Sequence, residues 1–376
     1  MGLRIRMQRL LSFLLLALAC VAAPSSQGAD GAPVVLRSIV AQGAGGNGAC
    51  LALILPLDSE NYRAMAEAVR AGFLAANRGA GDESRFSSVN VYPTGDAVEE
   101  ALAAYQKAIA DGCSMVVGPL TRNAATLLAG SGVVRVPTRV RSVPEVDYAR
   151  LPARMYSFSL RVEAEAQQVA RYARDEGKTA VTVASRAPLA RRMQQAFAEE
   201  WVAQGGVLAA DVALPAGKSV FTELRDEVDN YHPDVVFLAT DARRARLVRP
   251  YLSGYAVYGT SQVNGYRDGA AARNLDMDGV RFVDMPWLLQ PDHPAVMVYP
   301  RAEANYSLDM ERLYALGIDA CRLANELAAG RVRSGFSLDG VTGKVSLAPL
   351  RQFVRELPLA EFRDGTPKLV KSADLQ

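Results

Sequence analysis

The sequence has 376 residues, of which 50% are hydrophobic and 22% charged, a composition typical of a globular protein. Its 42 basic and 40 acidic residues give a net charge of +2, which argues against a nucleic-acid-binding protein because such proteins normally carry a marked basic excess. The length is sufficient for two medium domains or for one domain with two lobes.

The first residues predict an export signal. Arg4, Arg6 and Arg9 precede about ten apolar residues, 10–19, a stretch too short to span a bilayer. No later segment has the apolar length that a membrane helix needs, so we expect any attachment to a membrane to be made by a lipid alone. The mature protein is therefore expected to work outside the cytoplasm.

Cys20 is the candidate lipidation site. The signal, residues 1–20, ends in Ala-Leu-Ala-Cys, which looks like a bacterial lipobox, in which the cysteine is lipidated and becomes the new N-terminus. Ala17 stands where the usual residue is leucine, so ordinary signal cleavage after Ala23 or Gly28 is the alternative. Residues 21–48, rich in glycine, alanine and serine, are predicted to be a flexible tether.

Three stretches repeat one pattern, an apolar run that ends in small or polar residues and opens a helical pattern. They are residues 51–57, 113–119 and 235–240. A strand buried on both faces of a parallel sheet has a continuous apolar run, and the helix after it begins where its free N–H groups can face a ligand. The pattern predicts an α/β protein with a crevice at its strand ends.

The remaining patterns predict two successive series of strands and helices. The first series adds elements at 62–78, 89–92, 98–110, 121–128 and, as a fourth strand, 133–137. Residues 139–152 are irregular and are predicted to cross between lobes. In the second series, helices and strands alternate at 163–176, 179–184, 189–204, 207–212, 222–228, 235–240 and 243–252.

Two such series joined by crossings predict a bilobed α/β sandwich, with two parallel doubly wound sheets and a cleft between them. The first lobe is predicted over residues 49–155 plus about 285–335, and the second over residues 156–284. Residues 336–376 are predicted to form a C-terminal hinge and strand segment.

Cys50 and Cys113 are a candidate disulfide. Thiols outside the cytoplasm tend to pair, and these two cysteines precede the first and third strands. Those strands are adjacent and parallel in a doubly wound sheet ordered 2-1-3. The alternative is that both cysteines are small buried hydrophobes. Cys321 lies on an apolar helix face and is expected in the core.

Polar residues follow four of the predicted strands, at the ends where open α/β sheets bind ligands. In an amino-acid receptor, hydroxyls and helix-start N–H groups would hold a carboxylate, and an acid such as Asp241 would hold the ammonium. The alternative, favoured for Ser59, Thr121 and Asp241, is that these side chains cap helices. The candidate cleft residues are Asp58, Ser59, Thr121, Arg122, Ser185, Arg186, Thr240 and Asp241.

The residue inventory does not favour an enzyme. The only histidines, His232 and His293, each lie beside a proline in a predicted turn, and neither has a nucleophile or metal partner at motif spacing. The sequence has no Gly-x-Ser-x-Gly motif, no phosphate-binding Walker loop and no Cys or His cluster of metal-binding spacing. We therefore predict no catalytic residues, no metal and no cofactor.

Short motifs spread over roughly residues 49–368 carry a family resemblance. They are LILPL at 53–57, GFLAA at 72–76, VGPL at 117–120, FLATDAR at 237–243, YGTSQ at 258–262, GVRF at 279–282, DMPW at 284–287 and LYALGIDA at 313–320. Together and in this order they resemble the penicillin-binding-protein activator family, lipoproteins of the LppC or LpoA type.

The resemblance implies a type I periplasmic-binding-protein fold and a regulatory function. The family's best-known members are outer-membrane lipoproteins that reach across the periplasm and stimulate a bifunctional peptidoglycan synthase, a class A penicillin-binding protein. The resemblance therefore implies a non-enzymatic regulator of such a synthase, held in the periplasm at the outer membrane by lipidated Cys20. Those members carry a long helical domain of repeats before the sandwich, where this sequence predicts only the tether.

The alternative function is a periplasmic receptor for an amino acid or amide. The implied fold is similar to that of receptors for leucine, amides and related solutes, and GVTGKV at 340–345 resembles the segment that those receptors use near their hinge. A synthase regulator is expected to have a protein interface and a cleft that need not be filled. A solute receptor is expected to have a cleft lined by an acid and hydroxyls.

Overall fold

The computed structural model describes residues 39–40, 50–81, 84–134, 152–214, 221–265 and 274–370. These residues form two lobes, each built on its own sheet, and a small third sheet. The predicted α/β fold class is thus confirmed. Among the residues described, none of the helices combines the length and the apolar character needed to cross a bilayer.

Within the described residues, the first lobe has five strands and three helices before the chain crosses to the second lobe. They are β1 (Ile39–Val40), β2 (Cys50–Leu55), α1 (Arg63–Ala80), β3 (Ser88–Pro93), α2 (Val98–Ala110), β4 (Met115–Val117), α3 (Arg122–Gly130) and β5 (Met155–Tyr156). The strand order is β3-β2-β4-β1-β5. β2 is parallel to β3 and β4, and its residues 51–55 are fully buried, as expected of a strand covered on both faces.

Two predicted segments of the first lobe differ from the structure. β1 lies within residues 21–48, for which a tether is predicted, and it pairs antiparallel with both β4 and β5. Val133 and Val134 begin the predicted fourth strand but form no strand, and the rest of that segment lies outside the described residues. The sheet position beside β4 is filled by β1, from the N-terminal side of the chain.

A disulfide joins the beginnings of two neighbouring strands. The Sγ atoms of Cys50 and Cys113 are 2.08 Å apart, and Cys50 opens β2 while Cys113 directly precedes β4. The two cysteines are 63 residues apart in sequence, so the bond closes a long loop and restricts the unfolded chain. Cys321 is a free, buried thiol, and burial raises its pKa to about 12, which keeps it protonated.

The second lobe is built on a seven-stranded sheet with five parallel strands. Its elements are α4 (Val162–Ala173), β6 (Thr179–Ala184), α5 (Pro188–Ala203), β7 (Val207–Ala213), α6 (Phe221–Asp229), β8 (Val235–Ala239), α7 (Ala242–Val248), β9 (Ala256–Gly259) and β10 (Val280–Val283). After β10 the chain leaves the lobe and returns later to add two antiparallel strands, so the sheet is mixed.

The chain between these visits contains α8 (Pro286–Leu289), α9 (Pro294–Met297), α10 (Leu308–Ala328), β11 (Ser337–Gly340), β12 (Gly343–Ala348) and β13 (Gln352–Glu356), and it then re-enters the second lobe as β14 (Leu359–Arg363) and β15 (Thr366–Leu369). The order of the larger sheet is β15-β14-β10-β9-β8-β6-β7. β11, β12 and β13 form the small antiparallel sheet.

Helix α10 packs closely along α1 and so belongs to the first lobe. Two glycines allow the close approach. A Cβ atom at Gly72 would lie 1.9 Å from the carbonyl oxygen of Tyr314, and one at Gly317 would lie 2.1 Å from that of Val69. Any side chain at either position would force the helices apart, which explains why glycine stands at both points of contact.

Candidate functional site

The predicted cleft residues lie at the carboxyl ends of parallel strands in both lobes. In the first lobe the pairs at 58–59 and 121–122 follow the neighbouring strands β2 and β4. In the second lobe the pairs at 185–186 and 240–241 follow β6 and β8, which are also neighbours, and the Ser185 amide donates to the Ala239 carbonyl at 3.2 Å. The structure therefore groups the candidate residues by lobe, at the sheet ends where the sequence places them.

Ser59 holds the beginning of α1. Its side chain is completely buried, and its hydroxyl oxygen accepts hydrogen bonds from the amides of Asn61 at 3.1 Å and Tyr62 at 2.9 Å. The same hydroxyl donates to the carboxylate of Asp96. Its neighbour Asp58 is exposed. These bonds engage the Ser59 hydroxyl fully and order the turn before α1, whose own N-cap residue is Tyr62.

The Asp241 side chain is also engaged within the protein, at the beginning of α7. One carboxylate oxygen accepts from the Arg244 amide at 3.0 Å and caps α7, while the other pairs with the Arg244 guanidinium at 2.9 Å. A carboxylate held in this way is poorly placed to bind the ammonium group of an amino acid. The role expected of Asp241 in a receptor therefore finds no support in this geometry.

The other candidate cleft residues make fewer side-chain hydrogen bonds within the described parts of the chain. Thr121 directly precedes α3, but its side chain makes no capping hydrogen bond. Thr240 is 1% exposed, and its hydroxyl oxygen has no hydrogen-bond partner among the described residues. Ser185 is buried and Arg186 is exposed. The guanidinium of Arg122 is half-buried and forms no hydrogen bond or ion pair within the described parts of the chain.

A buried cluster that the sequence did not predict lies where the lobes meet, centred on Arg312 of α10. The Arg312 side chain is 6% exposed and donates to both carboxylate oxygens of Asp284, at 3.1 and 2.7 Å. It also donates to the carbonyls of Ser261 at 3.0 Å and Asn264 at 2.8 Å, and to Asp309 at 2.6 Å. Burial alone would lower the pKa of Arg312, but Asp284 and Asp309 raise it above its ordinary value, so it stays charged.

Glu165 of α4 extends this cluster toward the small sheet. Its carboxylate accepts from the Ser261 amide at 3.2 Å and hydroxyl at 2.6 Å, and from Arg355 of β13 at 3.3 Å. Arg355 also donates to the carbonyls of Ser159 at 3.3 Å and Thr342 at 3.2 Å. Burial raises the pKa of Glu165, and the charge of Arg355 opposes that shift.

The cluster links elements of both lobes. Arg312 belongs to α10, which packs on α1 of the first lobe, whereas Ser261 and Asn264 follow β9 of the second. Removing one partner of a buried, hydrogen-bonded charge pair typically costs about 3–5 kcal/mol. The two lobes are therefore tied together at this point by buried hydrogen bonds and a buried ion pair.

A weak sequence signal for this cluster exists. Asp284 opens the DMPW motif that contributes to the family resemblance, although the motif does not reveal what the carboxylate binds. Residues 313–318, directly after Arg312, are all buried, so α10 is covered on every face there. A charged residue in such a helix must be paired, and this argument could have singled out Arg312.

Metal-binding groups and cavities were the two remaining features that could define a site. Among the described residues, no group of three or more His, Cys, Asp and Glu side chains is placed to hold a metal ion. A cavity of about 610 Å³ lies between α2 and β3, the edge strand of the first lobe's sheet, and none of the eight candidate cleft residues lines it. Its polar side chains are largely paired with one another, as Tyr92 and Lys107 both donate to Asp111.

Comparison with known proteins relates this geometry to one family. The family described as "LppC putative lipoprotein" matches residues 23–219 and 223–365. Penicillin-binding protein activator LpoA of Edwardsiella ictaluri is 27% identical over 323 residues, which cover 74% of this chain and 46% of that protein. The protein of the same name from Haemophilus ducreyi is 26% identical, with coverage of 84% and 53%. The chain thus spans about half the length of these curated relatives.

Solved structures show the same fold. A "putative branched-chain amino acid ABC transporter" protein of Chromobacterium violaceum is 36% identical, with a TM-score of 0.69 and coverage of 84% of this chain and 100% of that one. The C-domain of LpoA from Haemophilus influenzae, described as a regulator of PBP1A, is 22% identical, with a TM-score of 0.66 and coverage of 86% and 100%. The fold is therefore that of LpoA C-domains and of periplasmic binding proteins, as the motifs predicted.

Proposed function

The chain belongs to the family of LppC putative lipoproteins, and we propose that it is an envelope lipoprotein that binds a penicillin-binding protein and stimulates its peptidoglycan synthesis without catalysing a reaction itself. The partner is a class A synthase. The protein works in the periplasm and is anchored to the outer membrane through lipidated Cys20.

The structural observation that supports this proposal is the Arg312 cluster. A solute receptor that closes on its ligand needs lobes that can separate. Here Arg312 binds Asp284 and two carbonyls of the second lobe, and Ser59 and Asp241 are engaged by their own helices. Such a molecule is suited to present a fixed surface to another protein. The names of the curated relatives supply the kind of partner.

The direct test combines binding and activity. The chain without its signal is mixed with a class A synthase of the same organism, and co-purification and the rate of glycan polymerisation are measured. We expect both a complex and a faster rate. A solute-binding protein of the same fold serves as the control, and it should produce neither effect. If the chain neither co-purifies with the synthase nor changes its rate, the proposed function is wrong.

Anchoring needs a separate test. Replacing Cys20 by alanine should move the protein from the outer-membrane fraction to the soluble periplasm, because one acyl-bearing cysteine is the only attachment proposed. Mass spectrometry of the membrane-bound form should show acyl chains on Cys20. An unmodified mature N-terminus after Ala23 or Gly28 would instead favour ordinary signal cleavage.

A solute receptor is the second candidate function. The observation that favours it is the 36% identity to the Chromobacterium violaceum protein, together with the buried hydroxyl of Thr240, for which the described part of the chain supplies no hydrogen-bond partner. Thermal unfolding with millimolar leucine, other amino acids and amides tests it. A ligand at a hundred times its dissociation constant adds about 2.7 kcal/mol of stability, which raises the melting temperature by several degrees. No shift across the panel would exclude these solutes as ligands.

A further inference from the structure

The outer edge of the first lobe's sheet is open to a further strand. β3 stands at one end of the strand order and, among the described residues, pairs with β2 alone. A strand in this position presents a row of unpaired N–H and C=O groups along its free side. β3 therefore offers hydrogen-bonding groups to an extended polypeptide over a length of six residues.

β3 lacks most of the features that normally protect a sheet edge from pairing with another chain. Its sequence, SVNVYP, contains no charged residue, and it pairs with β2 over all six residues without a shift in register. Pro93, its last residue, is the exception. The two edge strands of the larger sheet differ, because β7 shifts register against β6 and carries Asp211, while β15 carries Pro367 and Lys368. Irregular pairing, charges and prolines all oppose the addition of a strand.

A groove lies beside this open edge. It is the cavity of about 610 Å³ between β3 and α2, and its walls are Asn90, Val91, Tyr92 and Pro93 of the strand, Glu100, Ala103, Ala104 and Lys107 of the helix, and Asp111. The alanine side chains of α2 are small, which leaves room between the helix and the strand. A peptide that pairs with a sheet edge directs alternate side chains to each face, so one set would enter this groove.

The groove carries an excess of negative charge. The charge of Lys107 is neutralised, because its Nζ atom donates to both carboxylate oxygens of Asp111, at 3.3 and 3.0 Å. Glu100 accepts a hydrogen bond from the Gly95 amide and is paired with no cation among the described residues. Its neighbour Glu99 is exposed in the same first turn of α2. The groove is therefore complementary to a positively charged segment.

We propose that β3 and α2 form the surface at which the synthase docks, and that the synthase adds an extended, positively charged segment as a further strand beside β3. Alternate side chains of that segment fill the space over Ala103 and Ala104, and a lysine or arginine of the segment faces Glu100. This inference rests on the proposed function, since it assigns a surface to the proposed partner. The surface is the outer edge of one lobe, and a solute bound between the lobes would leave it free.

Filling the groove is the first test. Biolayer interferometry measures the affinity between residues 21–376 of the chain and a class A synthase of the same organism. Ala103→Trp should weaken binding about tenfold or more, because the indole occupies the space that the partner's side chains need. Ala203→Trp makes the same exchange at the exposed end of α5 and should keep the affinity within about twofold. Both positions are exposed, and equal melting temperatures would show that both variants fold.

Reversing the charge of the groove is the second test. Glu100→Lys should slow association with the synthase about threefold or more at low salt, and the difference from wild type should shrink at high salt. Glu227→Lys, which reverses an exposed charge on α6, is the matched control and should change the association rate less.

Cross-linking identifies the segment of the synthase. Ala103→Cys supplies an exposed thiol for a benzophenone label, because Cys50 and Cys113 are bonded to each other and Cys321 is buried. We expect mass spectrometry of the illuminated complex to locate the cross-links in one continuous segment with a net positive charge.

The outcomes separate this inference from the proposed function. If wild type binds the synthase and both Ala103→Trp and Glu100→Lys bind it equally well, the docking surface is wrong and the proposed function stands. Cross-links to an acidic segment would also overturn the inference. If the wild-type chain does not bind the synthase, the proposed function fails and the inference fails with it.

Discussion

Arg312 of α10 and two other arginines, Arg122 of α3 and Arg161 directly before α4, have opposite surroundings. Arg312 donates to two carboxylates and two backbone carbonyls, and almost none of its side chain is exposed. Arg122 and Arg161 are only half-buried and have no acceptor within the described residues. The comparison teaches that the donors of Arg312 are used to hold the structure together, while Arg122 and Arg161 keep donors for which the described residues supply no acceptor.

The largest effect on stability is expected from removing Arg312, the arginine whose donors are all used. Arg312→Met should lower the free energy of unfolding by about 3–5 kcal/mol, because it leaves Asp284 buried without its counter-charge. Urea denaturation followed by circular dichroism measures the loss. Arg243→Met on exposed α7 is the matched control and should stay within about 0.5 kcal/mol of the wild type. An equal response of both variants would mean that the Arg312 bonds do not hold the lobes.

A double variant separates two costs of losing Arg312, the lost attraction to Asp284 and the burial of an unpaired Asp284 carboxylate. Arg312→Met combined with Asp284→Leu should recover about 2 kcal/mol of the loss, since replacing a whole buried pair by apolar residues is often close to neutral. The recovery should be incomplete because the carbonyls of Ser261 and Asn264 lose their donor. The same urea titration measures it. A double variant less stable than Arg312→Met would show that Asp284 has a second, independent role.

The sequence predicted the fold well because its signals were local. Continuous apolar runs identified buried parallel strands, and the rule that ligands meet strand ends placed residues such as Thr121 and Thr240 beyond the carboxyl ends of β4 and β8. β1 was not predicted because it has two residues, too few to show any periodicity, in a stretch rich in small residues. Val133 and Val134 resembled a strand, but the position beside β4 was taken by a segment far away in sequence.

The site was predictable only as a location. Ser59 is held by Asp96, which lies 37 residues further along, and Arg312 reaches carbonyls near residue 261. Backbone carbonyls carry no sequence signal, since every residue has one. Which polar side chain is consumed and which is left with unbonded donors depends on tertiary contacts, and it is this difference that separates Arg312 from Arg122.

The pH dependence of Glu165 gives a smaller effect than those at Arg312. Its pKa is raised in the folded protein, above the unfolded value of about 4.3, so the folded state binds more protons between the two values. The contribution of Glu165 to stability therefore falls as the pH rises through that window and is lowest above it. Burial causes this shift, and Arg355 and Arg312 oppose it while Asp284 reinforces it.

Glu165→Gln isolates that contribution, because glutamine keeps an acceptor for Ser261 but carries no proton to lose. We expect wild type and variant to be most alike near pH 4.5, and the wild type to lose stability relative to the variant as the pH rises to 7.5. Urea denaturation at several pH values measures the difference. The opposite slope would show that pairing with Arg355 outweighs the cost of burying the carboxylate.

The smallest effect on stability is expected from replacing Arg122, and the direction of the change matters more than its size. Arg122→Gln, measured in dilute buffer, should change the free energy of unfolding by no more than about 0.5 kcal/mol and in the stabilising direction. The reason is that the variant removes one of two like charges, those of Arg122 and Arg192. Sodium chloride should reduce the gain, because salt screens that repulsion. Arg122→Lys keeps the charge and should show no gain. If Arg122→Gln lowers the free energy of unfolding by more than about 1 kcal/mol, Arg122 stabilises the folded structure as Arg312 does, and the prediction is wrong.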